Sequence, residues 1–160
     1  MTHLLDACAL LNLSNGGVLD AVLSLPSRFI ICSAARRESK TILSVIDTLV
    51  LSNRLEFIDD HQIPASLFLK LKQQHGLGDG ETECLAVASI RSSTLVFDDQ
   101  RARKIATSLF GAPRVTGSIG LLRSCVGNGI LSRADAYGAY TLMKALGAYL
   151  PDMSISDMFP

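Results

Sequence analysis

The sequence has no tryptophan, few aromatic residues (6%) and no excess of either charge, because 15 lysines and arginines are matched by 15 aspartates and glutamates. A zero formal charge excludes a strongly basic protein that binds nucleic acid by phosphate neutralisation alone, so a nucleic-acid role would need a local site. Disorder is also excluded, since 48% of the 160 residues are hydrophobic. These values predict one globular domain with a sizeable core.

Cysteine is scarce too, and the four cysteines stand singly at positions 8, 32, 84 and 125 without a C-x-x-C pair. Only three histidines could join them, so we expect buried reduced thiols rather than a zinc site. No apolar run approaches the ~18 residues of a membrane span, and Asp6 interrupts the apolar N-terminus. These absences predict a soluble, cytoplasmic chain with no signal peptide and no membrane partner.

Short, mostly apolar runs alternate with longer segments of helical period. The runs predict strands at 3–5, 29–32, 55–58, 94–97 and 114–116, of the kind found in parallel sheets covered on both faces. Helices are predicted at 10–25, 33–52, 64–75, 81–92, 100–110, 119–126 and 133–150. The repeated order predicts an α/β fold with a parallel sheet, a single domain over 1–150 and an apolar tail over 151–160 that docks on the body or on a partner.

Acidic residues follow two predicted strands at their carboxyl ends. Asp6 ends the first strand, and Asp98 and Asp99 end the fourth. Because ligands of open parallel sheets bind outside the carboxyl ends of the strands, we expect these acids to share one edge of the molecule.

Other acids are candidates for the same edge. Glu38 follows the second strand, and Glu81 and Glu83 lie in the first turn of the helix opened by a Gly-Asp-Gly sequence. Each acid also has a simpler interpretation, since Asp6 and Asp99 could cap helices, Glu81 or Glu83 could complement a helix dipole, and Glu38 could lie on a solvated face.

If the acids converge, they require a cation. Two carboxylates 5 Å apart repel by about 3 kcal/mol at an effective dielectric of ~20. Hard carboxylate oxygens favour Mg²⁺ or Mn²⁺ over Zn²⁺, and such ions commonly act on phosphates. Phosphodiester hydrolysis is the leading chemistry on these grounds, and phosphoryl transfer on a smaller substrate fits the acids equally well.

Four segments carry a family resemblance. They are 4–13 (LLDACALLNL), 80–88 (GETECLAVA), 96–106 (VFDDQRARKIA) and 115–122 (VTGSIGLL). Together they resemble PIN domains, and more closely the branch of VapC-type toxin ribonucleases. The resemblance spans about residues 3–125 and implies a PIN-like three-layer sandwich, with a central parallel β-sheet flanked by helices and an acidic pocket that binds Mg²⁺ or Mn²⁺ for RNA cleavage.

The resemblance also implies roles for individual residues. The catalytic acids would be Asp6, Glu38, Glu83 and Asp99, with Glu81 and Asp98 as the neighbouring candidates for the third and fourth metal-binding positions. Two departures from the family pattern bear on activity. Cys8 stands where the family often has Ser, Thr or Asn, and Glu83 stands where it more usually has Asp.

Thr116 and Ser118 match a hydroxyl-bearing position in the family. They could hydrogen-bond a metal-bound water or a ligand carboxylate, and helix capping by Ser118 is the alternative. Arg36, Arg101 and Arg103 lie in segments that start near the acidic edge, where they could hold RNA phosphates, with ordinary solvent coverage as the alternative.

The expected partners are an RNA substrate and, for a toxin, a cognate antitoxin protein that inserts an Arg among the carboxylates. On the last predicted helix, one side is formed by Ala134, Tyr137, Thr141, Ala145 and Ala148. We expect this stripe to pack in the core, with a homodimer contact as the alternative. The alternative function for the whole chain is a catalytically weak or inactive PIN-fold interaction module that acts through a protein partner.

Overall fold

A computed structural model describes residues 1–160 and contains one five-stranded sheet in which every neighbouring pair is parallel. The strand order is β3-β2-β1-β4-β5. The strands are β1 (Thr2–Leu5), β2 (Arg28–Cys32), β3 (Glu56–Ile58), β4 (Thr94–Val96) and β5 (Val115–Thr116). The chain therefore builds outward from β1 to β3 and then returns to the other side of β1, so that a topological switch point lies between β1 and β4.

Ten α-helices connect and cover the strands. They are α1 (Ala7–Asn15), α2 (Leu19–Val22), α3 (Ser33–Glu38), α4 (Leu43–Leu51), α5 (Ala65–His75), α6 (Asp79–Ile90), α7 (Gln100–Phe110), α8 (Ser118–Gly127), α9 (Arg133–Ala145) and α10 (Ile155–Met158). Short 3₁₀ turns lie at Lys40–Ile42, Asp60–Gln62 and Ala112–Arg114. No helix combines the length and the apolar composition needed to cross a bilayer.

Alternate residues of the strands face two separate apolar layers. Leu5 and Ile31 belong to a cluster of 27 buried residues, whereas Leu4 and Ile30 belong to a cluster of 16 on the opposite face. Side chains of a strand alternate between its faces, so apolar residues at every position require helices on both sides. The predicted three-layer α/β sandwich is confirmed.

Three predicted helices are shorter than expected. The segment 10–25 is divided into α1 and α2 at Gly16-Gly17, where Gly17 has a positive φ of 68°. The segment 33–52 is divided at Ser39, whose hydroxyl donates to the Ala35 carbonyl while its backbone ends α3. The last helix ends at Ala145, before Gly147 with φ 99°. Apolar periodicity continues across these breaks, so it did not predict them.

The core-facing side of α9 also differs from the predicted stripe. Its buried residues are Ala136, Ala139, Tyr140 and Met143, whereas Ala134, Thr141 and Ala145 are exposed. The expectation that this stripe packs in the core is therefore wrong for these three residues, whereas Tyr137 and Ala148 are partly buried against the larger apolar cluster. Met143 packs closely against Gly16, the residue after α1, because this glycine has no side chain. A Cβ there would lie 2.7 Å from the terminal methyl group of Met143.

The tail folds back on the body. Met158 is fully buried and Phe159 is 8% exposed, and both belong to the larger apolar cluster. Arg123 of α8 donates to the carbonyl of Met158 at 2.7 Å, and the Tyr140 hydroxyl donates to that of Pro151 at 2.6 Å. The tail is thus part of the packed domain.

Candidate active site

Asp6 lies directly after β1, beside the topological switch point. Its backbone N–H still donates to the Val96 carbonyl of β4, at 3.3 Å, and its side chain caps α1 by accepting from the Cys8 N–H, at 3.3 Å. The residue is only 2% exposed. Burial, and then the charges of Glu81 and Glu38, raise the pKa of the Asp6 carboxyl to about 7.

Glu38 and Glu81 reach the same region from two other helices. Glu38 is the last residue of α3, and its carboxylate accepts from the Gly80 N–H at 3.3 Å. Glu81 lies in the first turn of α6 and accepts from the Gly78 N–H at 2.9 Å. Burial raises the pKa of Glu81, and the charges of Asp99 and Glu38 raise it further. A Cβ at position 80 would lie 3.1 Å from Glu38 Oε2, so the Glu38 carboxylate would have to shift by a few tenths of an ångström to admit a side chain there.

Glu83, the residue that the sequence favours over Glu81 as the third acid, makes different contacts from Glu81. Its carboxylate accepts from the Ala34 N–H at the start of α3, at 2.7 Å, and pairs with Arg37 at 3.6 Å. Burial raises its pKa to about 7, and its charged neighbours are Asp60 and Arg37 rather than Asp6. Residues two apart on a helix point in nearly opposite directions, so Glu81 and Glu83 cannot both face Asp6.

Asp98 and Asp99, which follow β4, form hydrogen bonds with different helices. Asp99 caps α7 by accepting from the Ala102 N–H at 2.8 Å, and its charge acts on Glu81. Asp98 accepts from the Ser118 N–H at 2.8 Å and from the Ser118 hydroxyl at 2.6 Å. A third donor is the Asn12 side-chain amide, at 2.7 Å. Both acids therefore border the group formed by Asp6, Glu38 and Glu81. The side chain of Asp98 is held in place by α8 and α1.

The prediction from sequence missed Asn12. It lies within the segment 4–13 that carries the family resemblance, six residues after Asp6 on α1. An amide at that spacing was the available signal, but an exposed polar residue explains it equally well in the absence of tertiary information.

The two hydroxyl-bearing residues differ. Ser118 is fully buried and donates to Asp98 as the first residue of α8, whose N-cap is Gly117. Ser118 therefore contacts a candidate acid and does not cap the helix with its side chain. Thr116 makes no hydrogen bond to any of the acids; its hydroxyl is packed against Gly120.

Cys8 lies at the mouth of this group. Loss of water around its sulfur, followed by the charges of Asp6 and Glu81, raises the pKa of the thiol to about 12. The thiol is therefore protonated at neutral pH and a poor metal ligand. The other three cysteines are buried and free, as predicted, whereas the prediction of burial is wrong for Cys8, which is exposed.

The candidate RNA-binding arginines also differ in their contacts. Arg36 forms a bidentate pair with Asp47 of α4, at 2.8 and 2.9 Å. Arg101 donates to the His75 carbonyl at 2.7 Å, and its charge lowers the pKa of Glu81. Arg103 makes a single long contact, 3.5 Å, to the Phe97 carbonyl and has no carboxylate in an ion pair.

The acids of this group form no ion pair, although the charge of Arg101 acts on Glu81. No ion pair involves any of Asp6, Glu38, Glu81, Asp98 or Asp99, whereas Glu83 has Arg37. The donors are hard oxygens, which suit Mg²⁺ or Mn²⁺. No three His, Cys, Asp or Glu side chains are arranged to hold one ion. All five of these carboxylates accept from backbone N–H groups.

Comparison with known families gives one match. A family model described as a PIN domain matches residues 2–159. Comparison with curated proteins gave no match, and neither did comparison with solved structures. Because the family match covers almost all of the 160 residues, the chain belongs to the PIN domain family, whose members are generally nucleases.

Proposed function

We propose that this protein is a Mg²⁺- or Mn²⁺-dependent endoribonuclease in which Asp6, Glu38, Glu81 and Asp99 are the metal-binding acids. The observation that carries the proposal is the state of Asp6. This carboxyl is buried at the switch point of the sheet, has a pKa of about 7, and is close to two further carboxylates without any cation. A divalent ion is the simplest counter-charge for such a group.

Glu81 replaces Glu83 in this assignment for two reasons. Its charge acts directly on Asp6, and it has no ion pair, whereas Glu83 is held by Arg37 and by the start of α3. To bind an ion, Glu81 and Glu38 would release the backbone N–H groups of Gly78, which is exposed, and of Gly80, which is buried.

The ion, when bound, supplies charge neutralisation at a phosphodiester and lowers the pKa of water. The protein's own residues supply position. The Cys8 N–H orients Asp6, and Ser118 and Asn12 hold Asp98 at the end of β4. Hydrolysis of this kind would leave a 5′-phosphate and a 3′-hydroxyl. RNA, rather than DNA, is proposed from the resemblance to VapC-type toxins, as are the toxin role and a cognate antitoxin that blocks the acids.

The assignment is tested by comparing Glu81→Gln with Glu83→Gln in Mn²⁺-dependent cleavage of single-stranded RNA. Loss of a metal ligand should lower the rate at least about 100-fold, since loss of a ligand's own hydrogen-bond partner already costs 10- to 100-fold. Glu83→Gln keeps the acceptor for the Ala34 N–H and should retain activity within about tenfold. Asp6→Asn and Asp99→Asn should behave like Glu81→Gln, and EDTA should abolish cleavage by the wild type.

The opposite order, with Glu83→Gln inactive and Glu81→Gln active, would show that the third acid is misassigned. Retention of full activity by Asp6→Asn would overturn the whole site. Analysis of the product ends separates this chemistry from that of a contaminating metal-independent ribonuclease, which leaves a cyclic or 3′-phosphate.

One observation favours the second candidate function, a weak or inactive PIN-fold module that acts through a protein partner. The carboxylates are engaged by backbone N–H groups, and no three of them are arranged around one point. Calorimetric titration with Mn²⁺ distinguishes the two functions. Binding that Asp6→Asn removes supports the nuclease, and no heat at millimolar Mn²⁺ supports the interaction module. A homodimer remains a further proposal, for which Leu142 of α9 and Leu146 just after it are exposed apolar side chains.

A further inference from the structure

A groove leads from the candidate acids to the segment that follows α9. It begins at Asp98 and has a volume of about 760 Å³. One wall is formed by α7, β5 and the start of α8, and the other by residues 148–153. Sites for small organic ligands measure roughly 300–1,000 Å³, so the groove has room for at least one nucleotide unit.

The groove contains two guanidinium groups whose charge no carboxylate neutralises. Arg103 contacts only the Phe97 carbonyl, and Arg123 donates to the carbonyls of Met158 and Asp157. Neither forms an ion pair, whereas the third cation, Lys144, is paired with Asp152. This wall therefore has a net positive charge that suits a polyanion.

Arg103 lies next to the acids. A Cβ at Gly117 would lie 2.6 Å from Arg103 Nη1 and 2.8 Å from Asp98 Oδ1, so the glycine allows the guanidinium and the carboxylate to approach the same point. A phosphate bound by Arg103 would thus be adjacent to Asp98, the neighbour in sequence of the proposed metal-binding Asp99.

Tyr149 also lines the groove and has 93% of its surface exposed. Large aromatic side chains are usually well buried, but this ring has no aromatic or cationic partner and its hydroxyl has no hydrogen bond. The next residue, Leu150, is buried in the larger apolar cluster and fixes the backbone. Tyr149 therefore presents an unpartnered ring on an anchored segment, which is the arrangement required for stacking on an unpaired base.

We propose that this groove binds unpaired nucleotides next to the scissile phosphate, with Arg103 on a backbone phosphate and Tyr149 stacked on a base. The proposal rests on the proposed function, because it takes RNA as the substrate, and it goes further by assigning the flanking nucleotides to this groove and to two of its residues, Arg103 and Tyr149. Bases of a duplex are already stacked on each other and cannot use the Tyr149 ring.

Binding in EDTA tests the groove independently of catalysis. We would measure fluorescence anisotropy of a short labelled single-stranded RNA with the wild type, Tyr149→Ala, Tyr149→Phe and Arg103→Ala. Tyr149→Ala should weaken binding at least about fivefold, and Tyr149→Phe should retain it, since stacking needs only the ring. Arg103→Ala should weaken binding and reduce the slope of log K against log salt by about 0.7, the value for one phosphate contact.

Lys104→Ala is the matched control. Lys104 is the next residue on α7, is exposed, has no ion pair and does not line the groove. Lys104→Ala should change the affinity by less than about twofold. It should change the salt slope by less than about 0.7, the value for one phosphate contact. A 2-aminopurine base in the RNA reports stacking directly: its fluorescence should be quenched by the wild type and by Tyr149→Phe, but not by Tyr149→Leu.

The proposal is overturned if the wild type does not bind single-stranded RNA, if Tyr149→Ala binds like the wild type, or if Arg103→Ala and Lys104→Ala lose equal affinity. A duplex that depends on Tyr149 as strongly as a single strand does would also overturn it. None of these results depends on metal or cleavage, so they are separate from the outcome for Glu81→Gln, which tests the proposed function.

Discussion

Asp6 accepts hydrogen bonds from the backbone N–H groups of residues 7 and 8, which favour its charged form, and yet its pKa is raised to about 7. Burial outweighs these bonds, and Glu81 and Glu38 add like charge. In the folded protein without metal, Asp6 thus binds a proton at pH values where an unfolded chain has lost it. The same is true of Glu83, whose pKa burial also raises to about 7.

This difference predicts that stability in EDTA falls as pH rises from about 4 to about 7. Between these values the folded state binds more protons than the unfolded state, so the free energy of unfolding decreases with pH. Asp6→Asn keeps a capping side chain, and at pH 8 it should raise the free energy of unfolding by about 2–4 kcal/mol and reduce the slope. Urea unfolding at several pH values measures both.

In Asp6→Asn, the raised pKa of Glu83 should preserve part of the pH dependence of the free energy of unfolding. Asp20→Asn, at an exposed pair with Arg54, is a control that should change stability by less than about 1 kcal/mol. A pH-independent stability of the wild type in EDTA would contradict the argument. Mn²⁺ should raise the melting temperature of the wild type and not that of Asp6→Asn, because only a binding-competent folded state gains from the ligand.

At the scale of elements, the two acids after β4 accept hydrogen bonds from the first turns of two helices. Asp99 caps α7, into which the chain continues, while Asp98 holds the first residue of α8, which follows β5. Adjacent residues in extended backbone point to opposite sides, so two acids in sequence can serve two different helices. The hydroxyl of Ser118 completes this contact in a fully buried position.

Ser118→Ala should therefore destabilise the protein by about 1–3 kcal/mol, since Asp98 would lose a donor in a buried site. Ser124→Ala is the matched control on the same helix, because Ser124 is exposed and its hydroxyl donates only to the Gly120 carbonyl. It should cost less than about 0.5 kcal/mol. Urea unfolding of both variants measures the difference, and equal losses would show that Asp98 does not depend on Ser118.

At the scale of the whole molecule, the last ten residues complete one side of the sandwich. The short helix α10 has its own cap, in which Ser154 accepts from the Asp157 N–H. Four residues cannot form a stable helix alone, so its stability comes from the burial of Met158 and Phe159 in the larger apolar cluster. The same segment forms one wall of the groove that we propose for RNA.

Met158→Ala should cost about 2–5 kcal/mol, the range for removing a fully buried side chain. Ile155→Ala, on the same helix but 43% exposed, should cost less than about 1 kcal/mol. Chemical denaturation gives both values. If the two variants are equally stable, the tail does not pack on the body in solution.

The amino-acid sequence by itself determined the fold class, because apolar runs covered on both faces need helices on both sides of a parallel sheet. It also determined that Asp6, Asp98 and Asp99 follow strands and that the cysteines remain free. The Gly16-Gly17 pair is a turn signal that could have predicted the first helix break, whereas the break at Ser39 has no glycine or proline to mark it.

Only the tertiary structure shows that the charge of Glu81, rather than that of Glu83, acts on Asp6. Both lie in the first turns of α6, and both are acids next to a motif, but they point in nearly opposite directions from the helix. The position of α3 distinguishes the two residues. The Ala34 N–H and Arg37 of this helix contact Glu83, whereas the charge of Glu81 acts on Asp6. Sequence fixes which residues a helix carries, whereas the direction in which each one meets a partner depends on elements far away along the chain.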